Sequence, residues 1–505
     1  MATLIKVAEP FTSVSSTGNS NGVLSKSNGD AGKGVNAGPV PPRALNRPRK
    51  HLHVSAVHYK SRASRLSRDS DVHSSFLGFR NLMVIVLVVM NLRLIVENFM
   101  KYGVLICIRC HDYSKKDLFF STSLYAMVPC HLYLAYAIEL AAARKAQEAI
   151  RRAKRNDQKP EDVPSIARSF HAIWKVIALA HGINATLALL ITTVTVYYYI
   201  YHPMLGTISE IHAIIVWLKI CSYAFTNRDL RYALLKPEAA ASLPSLYSEC
   251  PYPRNITLGN LSYFWWAPTL VYQPVYPRSG PIRWRFVAKR LAEVCCLSIF
   301  IWLASAQYAA PLLHNSLSKM SSLDLASIVE RLMKLSTISL VVWLAGFFAV
   351  FQSALNALAE LMRFGDREFY TDWWNSPSVG AYWRTWNKPV YSFLRRHVYS
   401  PLVSRGWHPQ IAGIGVFVFS GILHELLVGV PTHNVIGVAF AGMVIQIPMI
   451  LITQPLEKME GSSGKIIGNC LFWISFCLVG QPLAALMYFF AWHAKYGSVS
   501  KQRPG

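Results

Sequence analysis

From Asn81 onward the chain alternates long apolar runs with polar stretches. A helix needs about 20 apolar residues to cross a bilayer, and lipid forces each crossing segment to satisfy its own backbone hydrogen bonds. The runs therefore predict spanning helices over residues 81–105, 119–141, 171–200, 205–226, 285–309, 331–361, 410–430, 435–455 and 466–493. The expected fold is an all-α polytopic membrane protein of about nine transmembrane helices, several long enough to tilt. Residues 1–75 are rich in Ser, Gly, Asn and Pro and keep no helical or strand period. They read as a disordered, basic tail preceding one integrated membrane domain, 76–505.

Charge adds a direction to this outline. Arg43, Arg47, Arg49, Lys50, Lys60, Arg62, Arg65 and Arg68 precede the first run, and its start, MATLIKVAEPFTS, lacks a signal-peptide core. An uncleaved first span with a cytosolic tail follows. The loops 142–167, 227–284 and 363–408 are basic and fall on the tail's side, whereas 201–204, 310–328 and 431–434 together carry only Lys319. That alternation is what the positive-inside rule expects, and nine spans put the C-terminus on the lumenal side. The sequons at Asn184 and Asn255 then lie within a span and on the cytosolic side, where neither is expected to be modified.

Composition agrees: 52% of the 505 residues are hydrophobic, 15% are charged and mean hydropathy is +0.27. The net charge of +25 suits an anionic substrate or a positive-inside bias; the apolar runs exclude a soluble nucleic-acid binder. Cys107 and Cys110 form a CxxC beside His111, but no second ligand pair stands nearby, and no metal is expected.

Ionisable groups at membrane depth are costly and usually functional. VFVFSGILHELLVGV puts His424 and Glu425 side by side inside the seventh span, with Ser420 one turn earlier on the same face. For His131, His181, His212 and His493 a bond to a neighbouring helix is the simpler reading. After the sixth span, residues 363–399 interleave aromatics (Trp373, Trp374, Trp383, Trp386) with Arg384, Lys388, Arg395 and Arg396. That composition suits an amphipathic cytosolic segment at the interface, although Asp366, Asp372 and Asn375 fit it less well.

FYTDWWN, Phe369 to Asn375, resembles the FYxDWWN signature of the membrane-bound O-acyltransferase family, in its acyl-CoA:diacylglycerol and sterol acyltransferase branch. His424, about fifty residues later within a hydrophobic span, is similar to that family's active-site histidine. The likeness covers roughly residues 76–493. Within the branch, the stretch APTLVYQPVYPR with Gln273, Gln446 in GMVIQIP and Gln481 in LVGQP resemble the diacylglycerol pattern rather than the sterol one. Leu426 departs from it, standing where the family often has an aromatic.

The resemblance implies acyl transfer from a thioester to an alcohol in the endoplasmic reticulum membrane, with acyl-CoA as co-substrate and no further cofactor. His424 is the expected general base toward the diacylglycerol hydroxyl, which attacks the acyl-CoA carbonyl directly with no covalent acyl-enzyme, and Asn375 is the expected group for polarising that carbonyl or holding the thioester. Ser420, Glu425, Gln446 and Gln481, with Asp372, Trp373 and Trp374, would bind or orient substrates. Arg395, Arg396 and His397 would hold the nucleotide portion of coenzyme A, or else serve as solvated positive-inside charges. A homodimer or higher homo-oligomer is also implied, and long acyl products require a lateral opening to lipid near His424 beside a cytosolic entry. A sterol or long-chain alcohol acceptor is the alternative within the class. A transporter lined by His424 and Glu425 is the alternative outside it, but the paired discontinuous helices it would need are absent from the sequence.

Overall fold

The computed structural model describes residues 56, 58, 60–67, 74–99, 114–155, 170–236, 243–309, 312–313, 315–317, 324–459 and 463–496. The tail before residue 56, and Cys107, Cys110 and His111, lie outside them. The described chain is helical throughout, with only two isolated β-bridges, Arg62 to Asp366 and Arg278 to Phe364.

Within the described residues every expected span falls on helix; residues 100–105 of the first span lie outside them. The helices are α1 (Leu77–Phe99), α2 (Lys115–Arg155), α3 (His171–Tyr199), α4 (Pro203–Leu235), the short α5 (Leu258–Trp266), α6 (Trp284–Ala304) and α7 (Leu325–Phe347). A π-helical turn, Phe348–Ala354, carries α7 on into α8 (Leu355–Leu361). Then come the short α9 (Val379–Thr385), α10 (Lys388–Leu394) and α11 (Ser400–Ser404). The chain ends with α12 (Pro409–Gly429), α13 (Val438–Val444), α14 (Gln446–Lys458), α15 (Ser463–Ile474) and α16 (Gln481–Tyr496). Among the described residues seven continuous helical stretches are long and apolar enough to cross a membrane. The two other expected spans are marginal for identifiable reasons. α1 carries Arg93 and Glu97 in its second half, and α6 carries Arg285, Lys289, Arg290 and Glu293 in its first half.

Contacts between loops fit the order of the spans. Asp117 accepts from the His202 backbone N–H, Arg62 pairs with Gly365 and Arg367, Ser378 meets Glu457, and Lys495 reaches the carbonyl of His433. Each pair is separated by an even number of the expected spans, as residues on one face of a bilayer must be.

Local chemistry sets the helix ends. Pro203 and Pro409 occupy first-turn positions where no N–H is needed, and Thr257, Asp324 and Ser378 cap α5, α7 and α9 through their side-chain oxygens. Within the spans, polar side chains find partners on neighbouring helices, as lipid requires. Thr193 donates to Glu210 at 2.7 Å, Ser121 and Ser209 lie 2.9 Å apart, and His131 meets Asn184 at 2.9 Å. Glu139 of α2, fully buried, accepts from Arg231 of α4 and from Tyr252 and lies 3.5 Å from His181 of α3. These bonds join α2, α3 and α4 into one unit. His131 and His181 thus serve helix packing, and His212 does so by stacking on Tyr125 with ring centroids 4.4 Å apart.

The stretch from Arg363 to Tyr399 turns its first half into the protein. Trp373 and Trp374 are 0% and 1% exposed, within an aromatic cluster that includes Phe79, Trp343, Phe347, Tyr382 and Trp473. Two glycines admit this loop. A Cβ on Gly78 of α1 would lie 1.6 Å from the Trp374 carbonyl oxygen, and one on Gly468 of α15 would lie 1.9 Å from that of Pro377.

A polar strap, formed by His58 and residues 60–67, closes over the same stretch. His58 bonds Asp366 at 2.6 Å and Thr269 at 2.8 Å, and its backbone N–H donates to Gln273. Arg62 and Lys388 both pair with Glu368. Burial alone would raise the Glu368 carboxyl, but Lys388 at 2.6 Å and Arg62 at 2.9 Å offset it and hold the group below the ordinary carboxylate range. A depressed pKa stabilises the fold above the unfolded value, near 4.3, and the contribution disappears as pH falls through the folded value. The difference in apparent melting temperature between wild type and Glu368→Gln is therefore expected to be constant near neutrality and to shrink below about pH 5. A difference that does not change with pH would exclude this ion-pair contribution.

Candidate active site

α12 begins at Pro409 on the side of the bundle that also carries the ends of α9 and α14, and it brings His424 about 20 Å inward at 1.5 Å per residue. There His424 lines a cavity of about 950 Å³, near the top of the range for ligand pockets, about 300–1,000 Å³. The wall is mainly apolar and aromatic, with Ile214, Leu218, Trp343, Phe417 and Leu423 among its residues. Arg384, Asn387, Gln410, Gln454 and Glu457 also line it.

The surroundings of His424 fix its tautomer. Nδ1 lies 2.8 Å from the Ser420 carbonyl oxygen and 3.4 Å from the Ser420 hydroxyl. A carbonyl can only accept, so Nδ1 carries the proton and Nε2 keeps its lone pair. Among the described residues nothing bonds Nε2. A bare imidazole nitrogen in an apolar cavity can take a proton from an incoming hydroxyl.

Glu425 points the other way and is outside the cavity wall. One carboxylate oxygen accepts from the Gly437 N–H at 2.9 Å; the other accepts from the Phe440 N–H at 3.2 Å and the Tyr488 hydroxyl at 2.7 Å. It ties α12 to the start of α13 and to α16. Gly437, at φ +78°, provides the left-handed turn that aims those N–H groups at the carboxylate.

The other sequence candidates divide sharply. Ser420 and Arg395 line the cavity with His424. Gln446 touches it indirectly, accepting from the indole N–H of Trp383, itself part of the wall, at 3.3 Å. Gln481, at the start of α16, is half-buried and outside the wall. Asn375 is also outside it: its amide nitrogen donates to the Ser75 carbonyl and its amide oxygen accepts from the Gly78 N–H. Asp372 pairs with Arg65 at 3.3 Å, Trp373 is enclosed by the aromatic cluster, and the Trp374 indole donates to Ser75 at 2.8 Å. FYTDWWN therefore joins α1, α15 and the strap in this structure, one shell away from the cavity.

The basic trio also separates. His397 is buried, with Nε2 2.8 Å from the Ser222 hydroxyl. Burial lowers Arg396 to about 10, against the opposing pull of Tyr247 and Asp229, so it remains charged at neutral pH but faces the interior. Sequence reading passed over Arg384 and Glu457, which do line the cavity, because nothing in their spacing marks them as partners. No three His, Cys, Asp or Glu side chains gather as a metal site among the described residues.

A largely apolar chamber with the half-buried imidazole of His424 on its wall narrows the class of protein, and comparison with known proteins identifies it. The family model described as MBOAT, membrane-bound O-acyltransferase family, matches residues 170–490, and the chain belongs to that family. It is 36% identical over 434 residues to diacylglycerol O-acyltransferase 1C of Glycine max, covering 86% of this chain and 78% of the relative. Diacylglycerol O-acyltransferase 1 of Arabidopsis thaliana is 36% identical over 448 residues, covering 88% and 78%. The Dictyostelium discoideum protein of that name is 34% identical over 428 residues, covering 85% and 64%.

Proposed function

We propose that this chain transfers the acyl group of acyl-CoA to diacylglycerol, forming triacylglycerol. The observation that carries the reading is the bare Nε2 of His424 facing a chamber of lipid size, in a chain whose relatives bear that activity in their names.

The acceptor hydroxyl gives its proton to Nε2 as its oxygen attacks the thioester carbonyl. The tetrahedral intermediate collapses, the carbon–sulfur bond breaks, and the departing thiolate takes the proton back from the imidazolium. No covalent acyl-enzyme forms. The Ser420 carbonyl, accepting from Nδ1–H, stabilises the transient imidazolium and holds the ring, and the apolar wall keeps out water that would hydrolyse the thioester. Several wall residues, Tyr125, Ile211, Ile215 and Trp266, are exposed, and we assign a lateral opening for diacylglycerol and product to that side.

Asn375 can polarise the carbonyl only if its amide leaves Ser75 and Gly78. Asn375→Ala is expected to lower thermal stability in detergent while the folded fraction keeps most of its kcat, because the amide positions α1 against the signature loop. A lost kcat at unchanged stability would return the residue to the chemistry. The endoplasmic reticulum membrane, a cytosolic N-terminus, a lumenal C-terminus and a homodimer complete the reading, on the basic loops and the family.

The test supplies purified protein with labelled oleoyl-CoA and, in turn, diacylglycerol, cholesterol and a fatty alcohol, and resolves the lipid products. Labelled triacylglycerol as the main product is expected. A sterol or wax ester would overturn the acceptor, and no ester with any of the three would overturn the reaction.

A further inference from the structure

The geometry points to Arg384 as a phosphate-binding residue at the mouth of the chamber, held ready by Glu457 and transferred from that carboxylate to the anionic head of the thioester substrate. The inference rests on the acyl-CoA reading above and assigns part of that substrate to a particular group.

Arg384, in the last turn of α9, and Glu457, in the last turn of α14, face each other across the cavity wall, Nη2 to Oε1 at 3.2 Å. The two side chains are 32% and 34% exposed. An ion pair this open to water contributes little to stability, about 0–1 kcal/mol, so a stronger anion can displace it. Glu457 is the fixed partner. Its second oxygen accepts from the Ser378 hydroxyl at 2.7 Å, and the same hydroxyl oxygen caps α9 by accepting from the Ala381 N–H at 3.0 Å. The carboxylate is thus bound to the first turn of the helix whose last turn carries Arg384. The guanidinium is at the end of a flexible side chain and can turn into the cavity.

The other cations of this face are less suited. Lys388 is paired with Glu368 at 2.6 Å, while Arg396 and His397 are outside the cavity wall. Arg395 lines the cavity and adds charge there, but among the described residues no carboxylate holds its guanidinium in place. Guanidinium takes phosphate oxygens in pairs, with hydrogen bonds stronger than neutral ones. The depth of the base fits this arrangement. His424 is about 20 Å further along α12 than Gln410 at the mouth, so a head group held there needs a long flexible arm to present its thioester to Nε2. Coenzyme A has that form.

The experiment measures KM and kcat in one fixed detergent and lipid mixture for wild type, Arg384→Gln, Arg384→Lys and Glu457→Gln. The substrates are oleoyl-CoA and the phosphate-free thioester oleoyl-N-acetylcysteamine. Arg384→Gln is expected to raise KM for oleoyl-CoA roughly tenfold, the size of a lost charge-assisted hydrogen bond, with a smaller change in kcat. The phosphate-free thioester should not distinguish the two proteins. Arg384→Lys should recover part of the loss, and Glu457→Gln should lower KM for oleoyl-CoA by removing the competing carboxylate. Unchanged KM in Arg384→Gln, or an equal rise with both thioesters, overturns the assignment. If Arg384→Gln does not fold, the lysine variant and the sign of the Glu457→Gln change decide in the same way. A wild type that makes no ester from oleoyl-CoA would instead refute the acyl-CoA reading itself.

Discussion

His424→Ala protein is expected to fold, to elute from a sizing column as wild type does, and to lose acyl transfer by about 10²–10⁴-fold, the usual contribution of a positioned general base. The polar contacts of the half-buried ring are to Ser420 alone, one turn earlier on the same helix, so its removal leaves α12 intact. His424→Gln is the more searching variant: it can still donate to that carbonyl but offers no nitrogen lone pair, and it should be as inactive as alanine. Single-turnover measurement with labelled oleoyl-CoA separates the possibilities. Turnover near the wild-type rate in either variant would remove His424 from the chemistry. Loss of activity together with loss of the folded peak would make it a packing residue.

The second large effect is expected at a position that touches no substrate. Gly78→Ala places a methyl 1.6 Å from the Trp374 carbonyl oxygen and 2.8 Å from the Asn375 backbone nitrogen, far inside contact distance. Neither atom can yield easily, because Asn469 and Trp473 donate to the same Trp374 carbonyl and the ring is fully buried. Displacing α1 would break the bonds of Ser75 and Gly78 to Asn375. Overpacking of this kind costs about 1–3 kcal/mol in ordinary cores and more against a fixed backbone. The variant should melt many degrees lower in detergent or fail to accumulate, as should Gly468→Ala on the opposite side of the loop. A melting temperature within a degree of wild type for either would show that the loop can move aside, contrary to the tight aromatic packing around Trp373.

What the sequence made legible follows from the range of each interaction. Hydropathy is local, so the long helical stretches were readable from their own residues, and the contacts between loops are compatible with the order of the expected spans. His424 was readable for the same reason: an imidazole and a carboxylate at membrane depth stand out in a window of a few residues. The direction of Glu425 was not, since adjacent helical residues point about 100° apart and only the fold reveals that one faces the cavity and the other Tyr488. Asn375 illustrates a longer gap. Its partner Ser75 is 300 residues away, so the motif could be recognised without revealing that its amide anchors the first helix. Arg384 and Glu457 are 73 residues apart and ordinary in composition, and only the approach of α9 to α14 makes them a pair.

The strap has a consequence for how such a chain must be made. His58 leaves the ribosome early, whereas its partners Thr269 and Asp366 follow 211 and 308 residues later. Through the insertion of four spans this segment lacks all of these partners, and until six are inserted it lacks Asp366 and Glu368, so it stays accessible to chaperones, proteases or modifying enzymes. Its docking is a late, post-insertion event that reports on assembly of the residues 364–372 face. Protection of residues 58–67 from limited proteolysis would therefore time the maturation of the enzyme, and a nascent chain halted before Asp366 would be cut there.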